Sequence, residues 1–425
     1  MTTSTVALGK IAKITSGGTP ARENPSYWNG DIPWVKTTQV QNCVIRIADI
    51  DERITEEGSR RSSAKMIPAG SILMAMVGQG KTRGQVAVLD IAAAINQNCA
   101  AIILKDGADR NYVYQQLRFR YEEIRNASNS SGQQNLNAAI IRSLRIPLPS
   151  YAAQKRIGLW LVEWDSAIEK TEQLIAAKDR YYKAIEHQLL TARQRVNGLS
   201  NKRESLRADQ IFESTSLKGF GSEPLLSVTQ DQGVVPRNML AGRVTMPSGE
   251  TTSFKLVEPG NFVISLRSFQ GGLEHSNYRG LVSPAYTVLR ATREIDVRFF
   301  RHYFRSADFI KRLSVAVVGI RDGKQVSFQD FCSIKIPFPP VAEQQAIAAM
   351  LDEAEREIAL LQDQSSAFKK QKRGLMQKLL TGQWRVPPSP APAGHPLPQA
   401  GEGSSDTVSD SPRPLAGEGP GERAR

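Results

Sequence analysis

Cysteine and histidine are scarce in this chain of 425 residues, which holds three of the first and four of the second. Cys43, Cys99 and Cys332 are isolated and odd in number, so they build neither a disulfide framework nor a metal site, and they fit a reducing compartment. His187, His275, His302 and His395 are equally dispersed. Long apolar runs are missing as well: none approaches the ~18 residues of a membrane span. The start MTTSTVALGKIAKI lacks a basic region followed by an apolar stretch, so no secretory leader is expected. These absences point to a soluble, cytoplasmic protein without a membrane partner. Acidic residues are also short, 42 against 55 Lys plus Arg, which leaves a net charge of +13 and favours a polyanionic partner.

What is present is a long internal repeat, at a constant offset of about 190 residues. The first copy runs Ile146-Pro147-Leu148-Pro149, then Gln154, Ile157, Leu161, Ile168, Ile185 and Leu189-Leu190-Thr191. The second runs Ile336-Pro337-Phe338-Pro339, then Gln344, Ile347, Leu351, Ile358, Leu375 and Leu379-Leu380-Thr381. A repeat this long is a duplicated module with a pseudo-two-fold plan, suited to a partner that also comes in two halves.

Each copy divides into a mixed segment and a helix. In 1–150, Ser71–Val77, Val86–Leu89 and Ala100–Leu104 have strand character and Asn111–Ile124 helical character. In 201–340, Asn261–Ser265 and Tyr286–Leu289 repeat the strands and Val297–Ser306 the helix, and Pro68-Ala69-Gly70 is echoed by Glu258-Pro259-Gly260. These are two α+β globular units. Between and after them, within 151–200 and 341–384, the pattern becomes a heptad. Ile157, Trp164, Thr171, Lys178 and Ile185 occupy a, and Leu161, Ile168, Ile175, Tyr182 and Leu189 occupy d, over Ala152 to about Arg193. From Val341 to about Leu380 the a set is Ile347, Ala354, Leu361, Phe368 and Leu375, and the d set Leu351, Ile358, Ser365, Lys372 and Leu379. Two such helices would be on the order of 60 Å long and are expected to pack antiparallel as a coiled coil that holds the units apart. The segment 385–425 is rich in Pro, Gly, Ala and Ser, buries too little to fold, and is expected to be disordered.

Two motifs imitate enzyme sites. Ala75–Thr82 ends in Gly80-Lys81-Thr82 like a phosphate-binding loop, but Ala75 replaces its first glycine, and Arg83-Gly84 leads into a strand where a helix N-terminus is needed. Asn24-Pro25-Ser26-Tyr27 partly matches an amino-methyltransferase motif, without its second proline and without room before it for a cofactor-binding unit. The chain is expected to do no chemistry and to bind no cofactor or metal of its own.

The remaining loops suit nucleic acid. The first unit offers Lys36, Thr37, Thr38 and Gln39, then Gln79, Lys81 and Arg83, then Gln133, Gln134 and Asn135; the second offers Gln230, Arg237, Arg267, Gln270, Arg279, Arg321, Lys324 and Gln325. Gln and Asn pair bidentately with adenine and Arg or Lys with guanine, while neighbouring cations hold phosphates.

At these residues the chain resembles the specificity subunits of type I restriction-modification systems. The resemblance rests on Gly18-Thr19-Pro20, Tyr27-Trp28-Asn29-Gly30-Asp31-Ile32-Pro33-Trp34, Asn96-Gln97-Asn98 and the doubled Ile-Pro-x-Pro with its following Gln and Ile. It implies two target-recognition domains, 1–150 and 201–340, each reading half of an interrupted asymmetric site in double-stranded DNA. The helices between them become spacers that set the gap and dock two methyltransferase subunits. Those partners would carry S-adenosylmethionine, and restriction subunits with ATP and Mg would complete the complex. In the second unit Ser283-Pro284-Ala285-Tyr286 stands where the first has Asn96-Gln97, which implies two different half-sites. The competing readings are a coiled-coil scaffold with only non-specific DNA binding, and a self-sufficient methyltransferase.

Overall fold

The computed structural model describes residues 4–385 except 79, 128–134, 192, 197–203, 231, 241–250, 267 and 317–325. Apart from Arg385, the expected tail therefore lies outside the described residues.

In the first unit a five-stranded sheet has the order 12–16, 99–104, 72–75, 86–89, 44–45. Both of its faces are covered, which is why these strands are continuous apolar runs such as Ile72-Leu73-Met74-Ala75. Ile72, Met74, Ala100 and Ile102 face the helices, whereas Leu73, Ala75, Cys99 and Ala101 face a second, four-stranded sheet of 53–54, 28–35, 93–95 and 66–67. The expected helix 111–124 is two helices, Arg110–Phe119 and Tyr121–Asn126, which meet at Arg120 with φ −93° and ψ 18°. The second unit repeats the scheme with a sheet of 212–215, 287–291, 262–264 and 274–275 over the helix Val297–Arg305. Its core is phenylalanine-rich: Phe212, Phe262, Phe300 and Phe304 meet with ring centroids 5.0–5.8 Å apart. The echoed turns match in conformation, since Gly70 and Gly260 both hold a positive φ, 83° and 91°, which admits glycine readily.

The doubled Ile-Pro-x-Pro closes each unit. Arg145–Pro147 pairs antiparallel with Thr5–Ala7, and Lys335–Phe338 with Glu204–Arg207, so Ile146 and Ile336 are fully buried. A helix of 40 residues leaves each closure, Tyr151–Leu190 and Val341–Leu380. The following glutamine fixes its departure. Gln154 accepts from Asp109 N at 2.9 Å and donates to Pro149 O at 2.9 Å; Gln344 accepts from Asp296 N at 2.8 Å and donates to Pro339 O at 2.8 Å.

The helices run antiparallel, because cross-helix partners climb one as they descend the other, from Asp165 with Lys372 to Lys178 with Glu357 and Tyr182 with Glu355. Each begins in one core and ends in the other. Ile157 and Leu161 belong to the first core, and Leu189 and Leu190 to the second. Ile347 and Leu351 belong to the second core, and Leu379 and Leu380 to the first. Burying such leucines contributes about 1.5–3 kcal/mol apiece, so both ends are firmly anchored.

Every expected seam residue is buried or half-buried, with Trp164 meeting Phe368 edge-on at 5.7 Å. The polar seam residues find different solutions. Thr171 turns its hydroxyl to Ala167 O at 2.8 Å, Lys178 pairs with Glu357 at 2.7 Å, and Lys372 pairs with Asp165. Ser365 is 4% exposed and its hydroxyl has no partner among the described residues. Its counterpart one repeat earlier is Ile175. Ser365→Ala should therefore raise stability by about 1 kcal/mol, because a buried hydroxyl without a partner costs that order of free energy. Chemical denaturation followed by helical circular dichroism measures it, and an unchanged or lower midpoint would contradict the assignment.

Candidate nucleic-acid interface

The segments that carried the resemblance meet at one edge of the first unit. Trp34 donates through Nε1 to Gly18 O at 3.0 Å, the Thr19 hydroxyl donates to Gln97 Oε1, and Thr37 donates to Asn96 Oδ1 at 3.0 Å. Gly17 is forced here, since a Cβ would lie 1.8 Å from Ile95 O. Met76 N donates to Asn98 O and Leu136 N to Met76 O, both at 2.9 Å, which brings the glycine-rich hairpin and the Asn135 segment to the same edge.

Within this edge the sequence candidates have unlike positions. Thr38 and Lys81 are exposed and Asn135 is half-buried. Lys36 is bound to Asp51 at 2.7 Å and Glu52 at 2.8 Å, and these hydrogen bonds raise its pKa, so its charge is largely met inside the protein. Gln39 is tied back to the Lys36 amide at 2.8 Å and to Asp49 O. Thr37 and Arg83 are buried, 8% and 7% exposed, Thr37 against Asn96 and Cys99. Gln79, Gln133 and Gln134 lie outside the described residues, as do Arg267, Arg321, Lys324 and Gln325 of the second unit.

In that second unit Gln230 and Gln270 are exposed and Arg237 is half-buried. Arg279 is paired with Glu223 at 2.7 Å and Glu258 at 2.8 Å. A cleft of about 710 Å³ opens between Thr229, Gln230, Ser265, Leu266, Glu274 and Tyr286. The duplicated topology relates the two sets of candidates: residues 76–85 join the strands 72–75 and 86–89, and residues 265–273 join 262–264 and 274–275. Lys81 to Arg83 and Ser268 to Gln270 thus sit on equivalent connections. The Gly80-Lys81-Thr82 run is the tip of the first hairpin, closed by Gly84 N to Ala75 O at 2.9 Å, and the chain leads from it into the strand Val86–Leu89 where a phosphate-binding loop leads into a helix.

Several residues of the edge were not singled out as contacts from sequence. Gln97 is exposed at its centre, and Arg22 lies over Trp28 at 3.8 Å while paired with Glu52. Their signal was available, since Gln97 and Trp28 lie in the motifs that carry the resemblance.

A second polar feature seats the first unit on the helix pair. Asp165 takes Arg118 Nη1 at 2.9 Å, Gln115 Nε2 at 2.6 Å and the Lys372 ammonium. Burial pushes the Lys372 amine down to about 8. Burial also works to raise the Asp165 carboxyl, but Arg118 and Lys372 outweigh it and hold it below its ordinary value. Gln116 closes the far end by donating to Leu380 O at 2.9 Å. Among the described residues, His302, Asp352 and Glu355 are grouped closely enough to ligate a metal, but Arg301 Nη2 already stands 2.7 Å from both carboxylates and 2.9 Å from His302 Nε2, a cation in place. No described helix is long and apolar enough to cross a membrane.

The model of the type I restriction modification DNA specificity domain matches residues 2–177 and 249–368, once over each unit with part of the helix that follows it. The chain belongs to this family. Among its relatives, the MjaIX specificity subunit of Methanocaldococcus jannaschii is 29% identical over 166 residues, 38% of each chain. The EcoR124I/EcoR124II specificity subunit of Escherichia coli is 30% identical over 165 residues, 37% of this chain and 40% of that one, so these two alignments span well under half of the relatives' length. The putative MjaX specificity subunit of M. jannaschii is 24% identical over 401 residues, 89% of this chain and 93% of its own. In structure, the S subunit from M. genitalium superposes with a TM-score of 0.55 at 16% identity, covering 89% of this chain and 96% of that one, which shows the fold of two α+β units on paired long helices.

The Asp165 node yields a quantitative expectation. Asp165→Asn leaves Lys372 and Arg118 without a counter-charge and should cost about 2–3 kcal/mol, somewhat under the value for a fully buried pair because Asp165 keeps some exposure. The wild-type advantage is present above the ordinary carboxylate range and disappears as pH falls through the lowered Asp165 value. Denaturation midpoints of both proteins at neutral and acidic pH measure it.

Proposed function

We propose that this chain is the DNA-sequence specificity subunit of a type I restriction-modification complex, non-catalytic itself, that reads a bipartite asymmetric site in double-stranded DNA. One observation carries the reading: each long helix starts in one globular core and ends in the other, so the separation of the two units is set by a rigid double strut about 60 Å long. A protein with two recognition surfaces at a fixed distance is suited to two half-sites at a fixed distance. Once one unit is seated, the other binds at high effective concentration, which couples the two readings. The net charge of +13 supplies salt-sensitive attraction to the backbone, and the equivalent hairpins with Lys81 and Gln270 supply groups for base edges.

The divergence of the second unit, with Ser283-Pro284-Ala285-Tyr286 in place of Asn96-Gln97, supports unlike half-sites. The exposed face of the helix pair offers the docking surface for two methyltransferase subunits, which bring S-adenosylmethionine. Restriction subunits with ATP and Mg complete the assembly in the cytoplasm.

Methylome sequencing of a host expressing this chain with its neighbouring methyltransferase subunit tests the proposal. The expected result is an interrupted adenine-methylated motif that vanishes when this chain is deleted; an active methyltransferase with no chain-dependent motif would favour the scaffold reading. Deleting Thr171–Ala177 together with Leu361–Ala367 removes one heptad from each strut and leaves both anchors in place. It should shorten the spacer in the methylated motif while both half-sites stay the same.

A further inference from the structure

The second unit is seated on the helix pair at the place equivalent to the Asp165 node, with different chemistry. One repeat on, Asp165 becomes Glu355 and Lys372 is matched by Tyr182, and His302 takes the place of Gln115 after the N-cap aspartate of its helix. In the first unit Gln115, Arg118 and Lys372 all approach Asp165 with nitrogen donors. In the second, the Tyr182 hydroxyl lies 3.1 Å from His302 Nδ1, 3.1 Å from Glu355 Oε1 and 3.4 Å from Glu186 Oε1. Three potential acceptors surround a group with one hydrogen to give.

The far side of the imidazole fixes the count. His302 Nε2 is 2.8 Å from Asp352 Oδ1 and 2.9 Å from Arg301 Nη2, whose two hydrogens go to Asp352 and Glu355, so in the neutral ring the hydrogen sits on Nε2 and Nδ1 accepts from Tyr182. The tyrosine oxygen then needs a donor of its own, which Glu186 provides only when protonated. In the alternative, an imidazolium gives Nδ1–H to Tyr182, which gives its hydrogen to Glu355, and Glu186 is ionised. The two arrangements contain the same number of protons and interconvert when Tyr182 passes its hydrogen to Nδ1, takes the Glu186 proton and turns its hydroxyl toward Glu355. The first unit has no such requirement.

We propose that Tyr182, Glu186 and His302 are positioning residues that seat the second recognition unit on the spacer helices by holding one shared proton, a device absent from the first unit's seat. The surroundings favour the arrangement with neutral His302. Burial first, and then Arg301, lower the His302 pKa below 6.5, while burial and the neighbouring Glu355 raise Glu186 to about 7. The other charged groups facing the node are Asp352, Arg298 and Arg305, with Lys183 on the same helix as Glu186. On seating, His302 gives up a proton and Glu186 takes one, so the wild-type seat is nearly insensitive to pH through the weakly acidic range. Single substitutions unmask opposite halves. With Glu186→Gln, whose amide donates permanently to Tyr182, only His302 titrates, and its depressed pKa makes the seat weaken as pH falls below about 6.5. With His302→Gln, which installs the first unit's residue, only Glu186 titrates, and its raised pKa makes the seat weaken as pH rises from about 4.5 to about 7.

Hydrogen exchange of the full-length protein between about pH 5 and 8, corrected for intrinsic rates, reads this directly. Protection of 297–305 is followed relative to 110–119 in the first unit. The expected result is a nearly flat wild-type ratio, slopes of opposite sign in the two variants approaching about tenfold per pH unit, and a pH-independent loss of protection in Tyr182→Phe, which keeps the ring. Slopes of the same sign, or flat profiles in both variants, would overturn the proposal. Neither DNA nor a partner subunit enters the measurement, so its outcome is separate from that of the methylome experiment.

Discussion

The structure depends on an exchange of helix ends between two hydrophobic cores. Leu189 and Leu190 complete the core that Ile347 and Leu351 leave, and Leu379 and Leu380 complete the core that Ile157 and Leu161 leave. Neither unit finishes its own interior without the last turn of the other unit's helix. The helices are thereby fixed at both ends, and the distance between the units is a property of the covalent chain rather than of a flexible linker. A seam between these anchors needs only enough apolar contact to stay in register, which explains why it tolerates Thr171, Lys178, Ser365 and Lys372 at positions where a free coiled coil would place leucine.

Duplication fixed the geometry of the seats and left their chemistry free to diverge. Gln154 and Gln344 make the same pair of hydrogen bonds in both copies, because the turn from strand into helix leaves the same backbone groups unpaired. About three turns further along each helix, at Asp165 and Glu355, the first seat is an ion-paired node around Asp165 and the second a tyrosine–histidine–carboxylate node around Tyr182. The recognition edges diverged further: the first unit has a four-stranded second sheet, whereas the described residues of the second form two separate strand pairs, 226–229 with 233–236 and 255–257 with 280–282. Scaffolds that must keep a fixed separation while their reading surfaces change are expected to conserve the former kind of contact and vary the latter.

Much of the architecture was legible because it rests on periodic patterns. Apolar residues every three and four positions located both spacer helices to within a few residues, and the strands Val86–Leu89 and Cys99–Leu104 were visible as apolar runs. The break of the expected helix 111–124 at Arg120 was not visible, since Phe119-Arg120-Tyr121 carries neither Gly nor Pro and the bend comes from packing. Among the candidate contacts, Lys81 and Thr38 are displayed as a loop residue should be, while Arg83 and Thr37 are buried. No local pattern separates these outcomes, because a polar residue in a glycine-rich turn has the same neighbours in sequence whether its side chain points out or folds under.

The sequence by itself determined the duplication, the α+β character of each unit, the two heptad seams and the basic balance, all properties of spacing and composition that act over a few residues at a time. Only the tertiary structure decided which helix end fills which core, which seam polar groups are satisfied, and that Asp165 and Tyr182 stand at the centres of two equivalent but unlike nodes. Those nodes draw on three elements separated by up to 257 residues, as in Lys372 with Gln115. Charge pairing and proton sharing at that separation depend on distances of a few ångströms and on exclusion of water, and both exist only after the chain has folded.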